Sequence, residues 1–211
     1  IVKALKYLVA ESGVNVADLD AVMIGTTHFT NAVVERRRLQ TTACIRLALP
    51  ATVCLPPMVD WPDELREVVG GHYYLAHGGH EFDGRDISAF DADEIRGIAE
   101  QIAAKGIKAI AISSVFSPVN ADFEQKAAEI VAQVIPDASI TLSSTIGRIG
   151  LLERENAAIM NACLRELAIK TVGGFKAALA ELNITAPFFI SQNDGTLMNA
   201  DFATEHPVLT F

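Results

Sequence analysis

Lys108-Ala109-Ile110-Ala111-Ile112-Ser113-Ser114-Val115 is a β-rich run, too short for a helix that crosses a domain and flanked on both sides by segments of helical period. Before it, Ile95, Ile98, Ala99 and Ile102 form a core-facing stripe, Asp91 and Glu94 stand at capping-box spacing, and Gly106 closes the helix. After it, residues 121–134 repeat the amphipathic pattern and Ser139-Ile140-Thr141-Leu142 reads as another strand. Strand, helix and strand with short joins make a βαβ unit, so a parallel sheet covered by helices is expected and the fold class is α/β.

Working toward the N-terminus, residues 43–49 give a strand with apolar side chains at Ala43, Ile45, Leu47 and Leu49. Residues 50–88 change character: Pro50, Pro56, Pro57 and Pro62 interrupt them and Gly70-Gly71 and Gly78-Gly79 punctuate them, so short strands and a helix at 62–69 are expected in a small irregular insertion. Ala21-Val22-Met23-Ile24 is a buried strand ending at Gly25, and Thr26-Thr27-His28 opens a helix over 29–36. Residues 1–9 are helical, with Gly13 placed as a C-terminal cap. Toward the C-terminus, residues 151–182 form a very long helix that Gly173-Gly174 kinks or splits, residues 187–190 a strand, Gln192-Asn193-Asp194-Gly195 a turn, and residues 207–211 an extended apolar run. The sequence begins in helical period without Met and ends on that apolar run, so a larger protein is expected around it.

Of the 211 residues half are apolar and a fifth charged, ordinary for a chain able to bury a core. A net charge of −9 argues against a nucleic-acid or anionic-membrane surface, because binding phosphates needs a basic face; a single nucleotide pocket is not excluded. No apolar run reaches the roughly 18–20 residues of a bilayer span. Cys44, Cys54 and Cys163, odd in number and irregular in spacing, read as reduced thiols of a cytoplasmic protein.

Three places carry candidate chemistry. Gly25-Thr26-Thr27-His28-Phe29-Thr30-Asn31 puts a glycine at a strand end and hydroxyl residues at a helix start, where free N–H and O–H donors suit a phosphate or carboxylate; the alternative is a threonine that only caps the helix. His72, His77, His80 and Asp83 are metal-ligand types, but their spacing fits no helix face and the surrounding glycines read as hairpin turns, so a structural role is expected and no metal is assigned. Gln192, Asp194 and Gly195 follow a strand's C-terminal end, where parallel α/β sheets bind ligands; a plain turn explains them too. Arg36-Arg37-Arg38 is read as a solvated helix end, and no P-loop precedes Lys108.

In order, these segments resemble the hydantoinase A/5-oxoprolinase family. The family's Gly-Thr-Thr, two variable residues, Thr-Asn-Ala and Glu-Arg are matched by Gly25 to Ala32 with Glu35-Arg36; a Glu-Arg and Asn-Ala helix by Glu153-Arg154 and Asn161-Ala162; and Gln-Ser-Asn-Gly-Gly-Leu-Met by Gln192 to Met198, with Thr196 in place of the second glycine. The resemblance implies part of an actin-like ATPase (ribonuclease H-like) fold, with an N-terminal-type domain over 1–145 and the start of a central domain over 146–211. It implies an ATP-dependent hydrolase that opens a five-membered cyclic amide of the hydantoin or 5-oxoproline type. The alternatives are a subunit of an ATP-dependent ketone carboxylase or a non-catalytic assembly module. Gly25, Thr26, Thr27, Asn31, Gln192, Asp194 and Gly195 are the expected substrate- or phosphate-binding residues, with no catalytic residue assigned. ATP and Mg²⁺ are the expected cofactors of the parent, and a second hydantoinase subunit and an oligomer its expected partners. The family's Asp-x-Gly-Gly-Thr and Ser-Gly-Pro phosphate loops are not among these residues, so the 211 residues alone are expected to be inactive and to hold no nucleotide.

Overall fold

The computed structural model describes residues 2–192 and 194–210. The chain forms two compact units, residues 36–164 and, discontinuously, residues 1–35 with 165–211. The boundary expected near 145/146 falls inside the first of these.

The unit of residues 36–164 is built on a four-stranded, wholly parallel sheet in the order β3-β2-β4-β5, with β2 at Thr42–Leu49, β3 at His72–His77, β4 at Ala109–Ser114 and β5 at Ser139–Leu142. Helix α3 (Asp63–Val68) joins β2 to β3, α4 (Ala92–Ala104) joins β3 to β4, and α5 (Asp122–Val134) joins β4 to β5. Residues 72–77 thus pair with β2 as an edge strand of the main sheet, while the irregular character expected of 50–88 holds for the residues on either side. The cause is the β3 side chains themselves: Ala76 is buried and Tyr74 packs on the same core as Ala43, Ile45 and Leu47.

Strand β2 alternates two buried faces. Ala43, Ile45 and Leu47 meet Ile95, Ile98, Ala99 and Ile102 of α4 and Phe123, Ala127, Ile130 and Val131 of α5. Its opposite face carries Arg46, which reaches the first turns of α6 (Leu151–Glu181). Apolar alternation alone suggests one wet face; burial of nearly the whole strand is what a central parallel strand requires. At the start of α4, Asp91 accepts hydrogen bonds from the backbone N–H groups of Asp93 and Glu94, both at 3.0 Å. Only half of the capping box forms, because the Glu94 carboxylate accepts the His77 backbone N–H at 2.8 Å. Gly106 closes the helix at φ +68°, a conformation that costs glycine little.

The second unit holds a three-stranded sheet, β1-β6-β7, with β1 (Val22–Ile24) parallel to β6 (Phe188–Ser191) and β7 (Leu197–Asn199) antiparallel to it. Ile190, Phe188 and Met198 face a core shared with Val172, Leu179, Ile184, Ala200 and Ala203, against which Leu5 of α1 (Val2–Ser12) packs. Helix α2 runs His28–Val34, and α7 runs Ala200–Glu205. Two expectations change here. Helix α6 is continuous through Gly173-Gly174, since burial of Val172, Ala178 and Leu179 outweighs a glycine cost of about 1 kcal/mol each. Residues Pro207–Thr210 form a 3₁₀ turn instead of an extended strand, closed by the Thr210 hydroxyl donating to the Pro207 carbonyl at 2.7 Å; Phe211 lies outside the described residues.

Candidate functional site

Strands β1 and β6 run parallel in the register Val22↔Phe188, Met23↔Phe189 and Ile24↔Ile190. Their C-terminal ends therefore lie side by side, and with them two of the three candidate segments: Gly25 to Asn31 after β1, and Gln192 to Gly195 after β6. At Gly25, just beyond β1, a Cβ would stand 3.2 Å from Oγ of Ser191, the last residue of β6.

Within the first segment the hydrogen bonds are local. The His28 backbone N–H donates to Thr26 Oγ1 at 3.1 Å, so Thr26 takes the capping role and Thr27, at the N-cap position, makes no side-chain cap bond. The Asn31 amide donates from Nδ2 to Thr27 Oγ1 at 3.4 Å, and its backbone N–H bonds the Thr27 carbonyl at 2.8 Å. Both threonine oxygens are thereby used as acceptors, which leaves each O–H proton free to donate outward, and leaves Asn31 Oδ1 as an acceptor. Thr27, His28 and Asn31 are exposed and Thr26 half-buried, while Phe29 is fully buried and anchors the helix. Arg36 and Arg38 have φ of +53° and +62°, so the arginine run follows the helix instead of extending it, and Arg36 pairs with Glu64 at 3.0 Å.

The second segment is a tight connection between β6 and β7. Gln192 N–H donates to the Thr196 carbonyl at 2.7 Å, and Gly195, at φ +83°, donates to the Gln192 carbonyl at 3.1 Å. Asp194 accepts from the Thr196 hydroxyl at 2.6 Å and from its backbone N–H at 2.9 Å, and these bonds hold its carboxyl below the usual range. All of these bonds lie within residues 192–196. Asn193 lies outside the described residues.

The histidine segment does not converge. His72 and His77 stand at opposite ends of β3, roughly 16 Å apart at strand rise. Burial pushes the His72 imidazole down, helped by the Lys105 charge; His77 Nδ1 lies 3.2 Å from both oxygens of Glu94. His80 is buried against the Phe123 ring, centroids 4.4 Å apart, with Nε2 at 3.5 Å from Asp86, a separation of ion-pair reach that lacks hydrogen-bond geometry. Asp83 pairs with Arg85 at 2.8 Å. Among the described residues no group of three or more His, Cys, Asp or Glu side chains is placed to hold a metal ion.

Sequence reasoning passed over a buried charge network in the unit of residues 36–164. Arg46 donates through Nε and Nη2 to Glu155 at 2.7 and 2.5 Å, and the Ser113 hydroxyl donates to the same carboxylate at 2.5 Å. One residue earlier on α6, Arg154 donates through Nε to Ser143 Oγ at 2.9 Å and through Nη2 to the Ser114 carbonyl at 2.5 Å; Ser143 in turn donates to Glu124 at 2.5 Å. Asn161 Nδ2 donates to Thr141 Oγ1 at 3.1 Å. The signals in the sequence are Arg46, a single charge inside an apolar strand, and the Glu153-Arg154 and Asn161-Ala162 pairs, which stand out by resemblance but with no contact assigned to them. Cys44 and Cys163 are buried thiols: burial raises both, Cys163 to about 12, which leaves them protonated and unreactive.

With this geometry in view, the sequence profile described as the hydantoinase/oxoprolinase N-terminal region matches residues 1–135. A protein of Methanocaldococcus jannaschii is 28% identical over 125 residues, 59% of this chain and 18% of its own length. Among solved structures, an ATP-dependent caprolactamase from Pseudomonas jessenii superposes with a TM-score of 0.74 at 21% identity, covering 94% of this chain and 31% of its own. The nucleotide-free acetone carboxylase superposes with a TM-score of 0.75 at 16% identity, covering 96% and 32%. The α/β, actin-like fold read from the sequence agrees with both, and the chain spans less than a third of either. No helix of the described residues is long and apolar enough to cross a membrane. The chain belongs to the hydantoinase/oxoprolinase family, whose N-terminal region it carries.

Proposed function

We propose that the whole protein carrying this chain is an ATP-dependent hydrolase that opens a five-membered cyclic amide of the hydantoin or 5-oxoproline type. Family membership supports ATP-dependent chemistry on a small substrate. The observation that carries the reading further is the uncharged set of groups after β1: hydroxyl donors on Thr26 and Thr27 whose acceptor sides are already occupied, beside the free Oδ1 of Asn31. A cyclic amide presents a carbonyl oxygen and a ring N–H next to each other, and this set offers both complements. ATP supplies the phosphoryl group that activates the amide oxygen toward water. The residues of this chain bind and orient the ring, since neither Thr nor Asn titrates near neutral pH. Mg²⁺ bound with a nucleotide takes most of its six oxygens from water and phosphate, so the Mg²⁺ expected with ATP is not assigned to residues of this chain. An assembly with a second hydantoinase subunit and a cytoplasmic location belong to the same reading.

Asn31→Ala and Thr27→Val in the whole protein are expected to lower turnover of the cyclic amide by roughly ten- to a hundredfold, the usual cost of about 1–3 kcal/mol for one such polar partner. Melting temperatures should stay near that of the parent, because both side chains are exposed. Unchanged turnover in both variants removes the site assignment, and turnover lost together with thermal stability reduces these residues to a helix start.

A further inference from the structure

Resting on that reading, we infer that Ser191 is a further binding residue of the site, and that the group it binds is the carbonyl oxygen of the neutral ring and not a nucleotide phosphate. Ser191 is the last residue of β6, one position beyond the register pair Ile24↔Ile190 as Gly25 is, and it alternates with the buried Ile190 along the strand. It is half-buried, and its hydroxyl has no hydrogen-bond partner among the described residues. Gly25 explains why that hydroxyl stays reachable. Its φ lies outside the left-handed region, so conformation does not demand a glycine there; space does. A side chain on Gly25 would begin 3.2 Å from Ser191 Oγ and cover it, whereas hydrogen leaves the oxygen open at the end of the paired strands.

The choice of carbonyl over phosphate follows from charge. Neither residues 25–31 nor residues 191–196 contain Lys or Arg, and the one acidic side chain among them, Asp194, is held ionised by Thr196. A phosphate carries at least one full negative charge, which neighbouring cations or metal ions offset, and neither segment supplies a Lys or Arg to do so. A carbonyl oxygen carries a partial charge that one or two neutral O–H donors satisfy.

The test is steady-state kinetics of the whole protein with the cyclic amide and ATP varied separately. Ser191→Ala is expected to raise KM for the amide about tenfold, the loss of one hydrogen bond, with KM for ATP within about twofold of the parent. Ser191→Thr keeps the hydroxyl and is expected to restore most of the affinity. Gly25→Ala is expected to raise the amide KM in the same direction, and less so when combined with Ser191→Ala. A rise in KM for ATP with the amide KM unchanged assigns the hydroxyl to phosphate and overturns the inference, as does no change in either constant. If Asn31→Ala still lowers turnover in that event, only the role of Ser191 falls; if it too is silent, the functional reading falls with it.

Discussion

Replacing Glu155 with alanine is expected to cost about 3–5 kcal/mol, the usual penalty for stranding one member of a buried ion pair. Arg46 and Glu155 are both fully buried, and truncation would leave a guanidinium in the central strand whose remaining partners among the described residues are Thr52 Oγ1 at 3.4 Å and the Leu55 carbonyl at 2.5 Å. Against a total stability of about 5–15 kcal/mol this loss is large. The melting transition of the unit should fall by roughly 6–20 °C, and amide exchange should accelerate first across β2 and β4, which the pair and Ser113 tie to α6. The double replacement Arg46→Met with Glu155→Leu is expected to recover most of the stability, because apolar side chains of similar volume avoid the desolvation penalty. A single Glu155→Ala variant melting within a degree or two of the parent would contradict this account of the sheet.

Arg154→Ala is expected to cost about 3 kcal/mol or more, for a different reason. Its guanidinium fastens the loop before α6 to the ends of β4 and β5, donating to the carbonyls of Arg148 and Ile149 at 2.7 and 2.9 Å as well as to Ser114 and Ser143. Its charge also acts at a distance on Glu124, a fully buried carboxylate that accepts hydrogen bonds from the Ser143 hydroxyl and the Ser144 backbone N–H. Burial pulls the guanidinium below its ordinary pKa, and the Glu124 and Glu155 charges oppose that pull. Arg154→Lys should restore little, since an ammonium cannot span the same carbonyls with a planar fork. Limited proteolysis should open residues 143–150 in both variants; a lysine variant as resistant and as stable as the parent would show that charge alone suffices.

The βαβ core was legible because its signals are local: the stripe on α4, the Asp91 cap and the glycine stop all lie within a few residues of one another. Strand β3 was obscured because prolines and glycines surround it and its burial depends on neighbours that the sequence does not place nearby. The same limit hid Arg46 and Glu155, which meet across 109 positions of sequence. The continuity of α6 was lost to local glycine propensity, which tertiary packing overrides. At the candidate site, Gly25, Thr26, Thr27 and Asn31 could be picked out because a glycine at a strand end followed by hydroxyl residues is itself a pattern. That their capping hydroxyl is Thr26, and that Ser191 faces Gly25, depends on side-chain geometry and on a strand pairing that no spacing reveals.

The claim that the parent protein opens a cyclic amide at the expense of ATP is tested most directly by incubating it with ATP, Mg²⁺ and either 5-oxoproline or hydantoin, while ADP and the ring-opened acid are quantified together. The account predicts ADP formation that depends on the cyclic amide and matches the ring-opened product mole for mole, with the 211 residues alone giving neither. ADP formation that instead requires bicarbonate and a ketone, with the cyclic amides recovered intact, would contradict it.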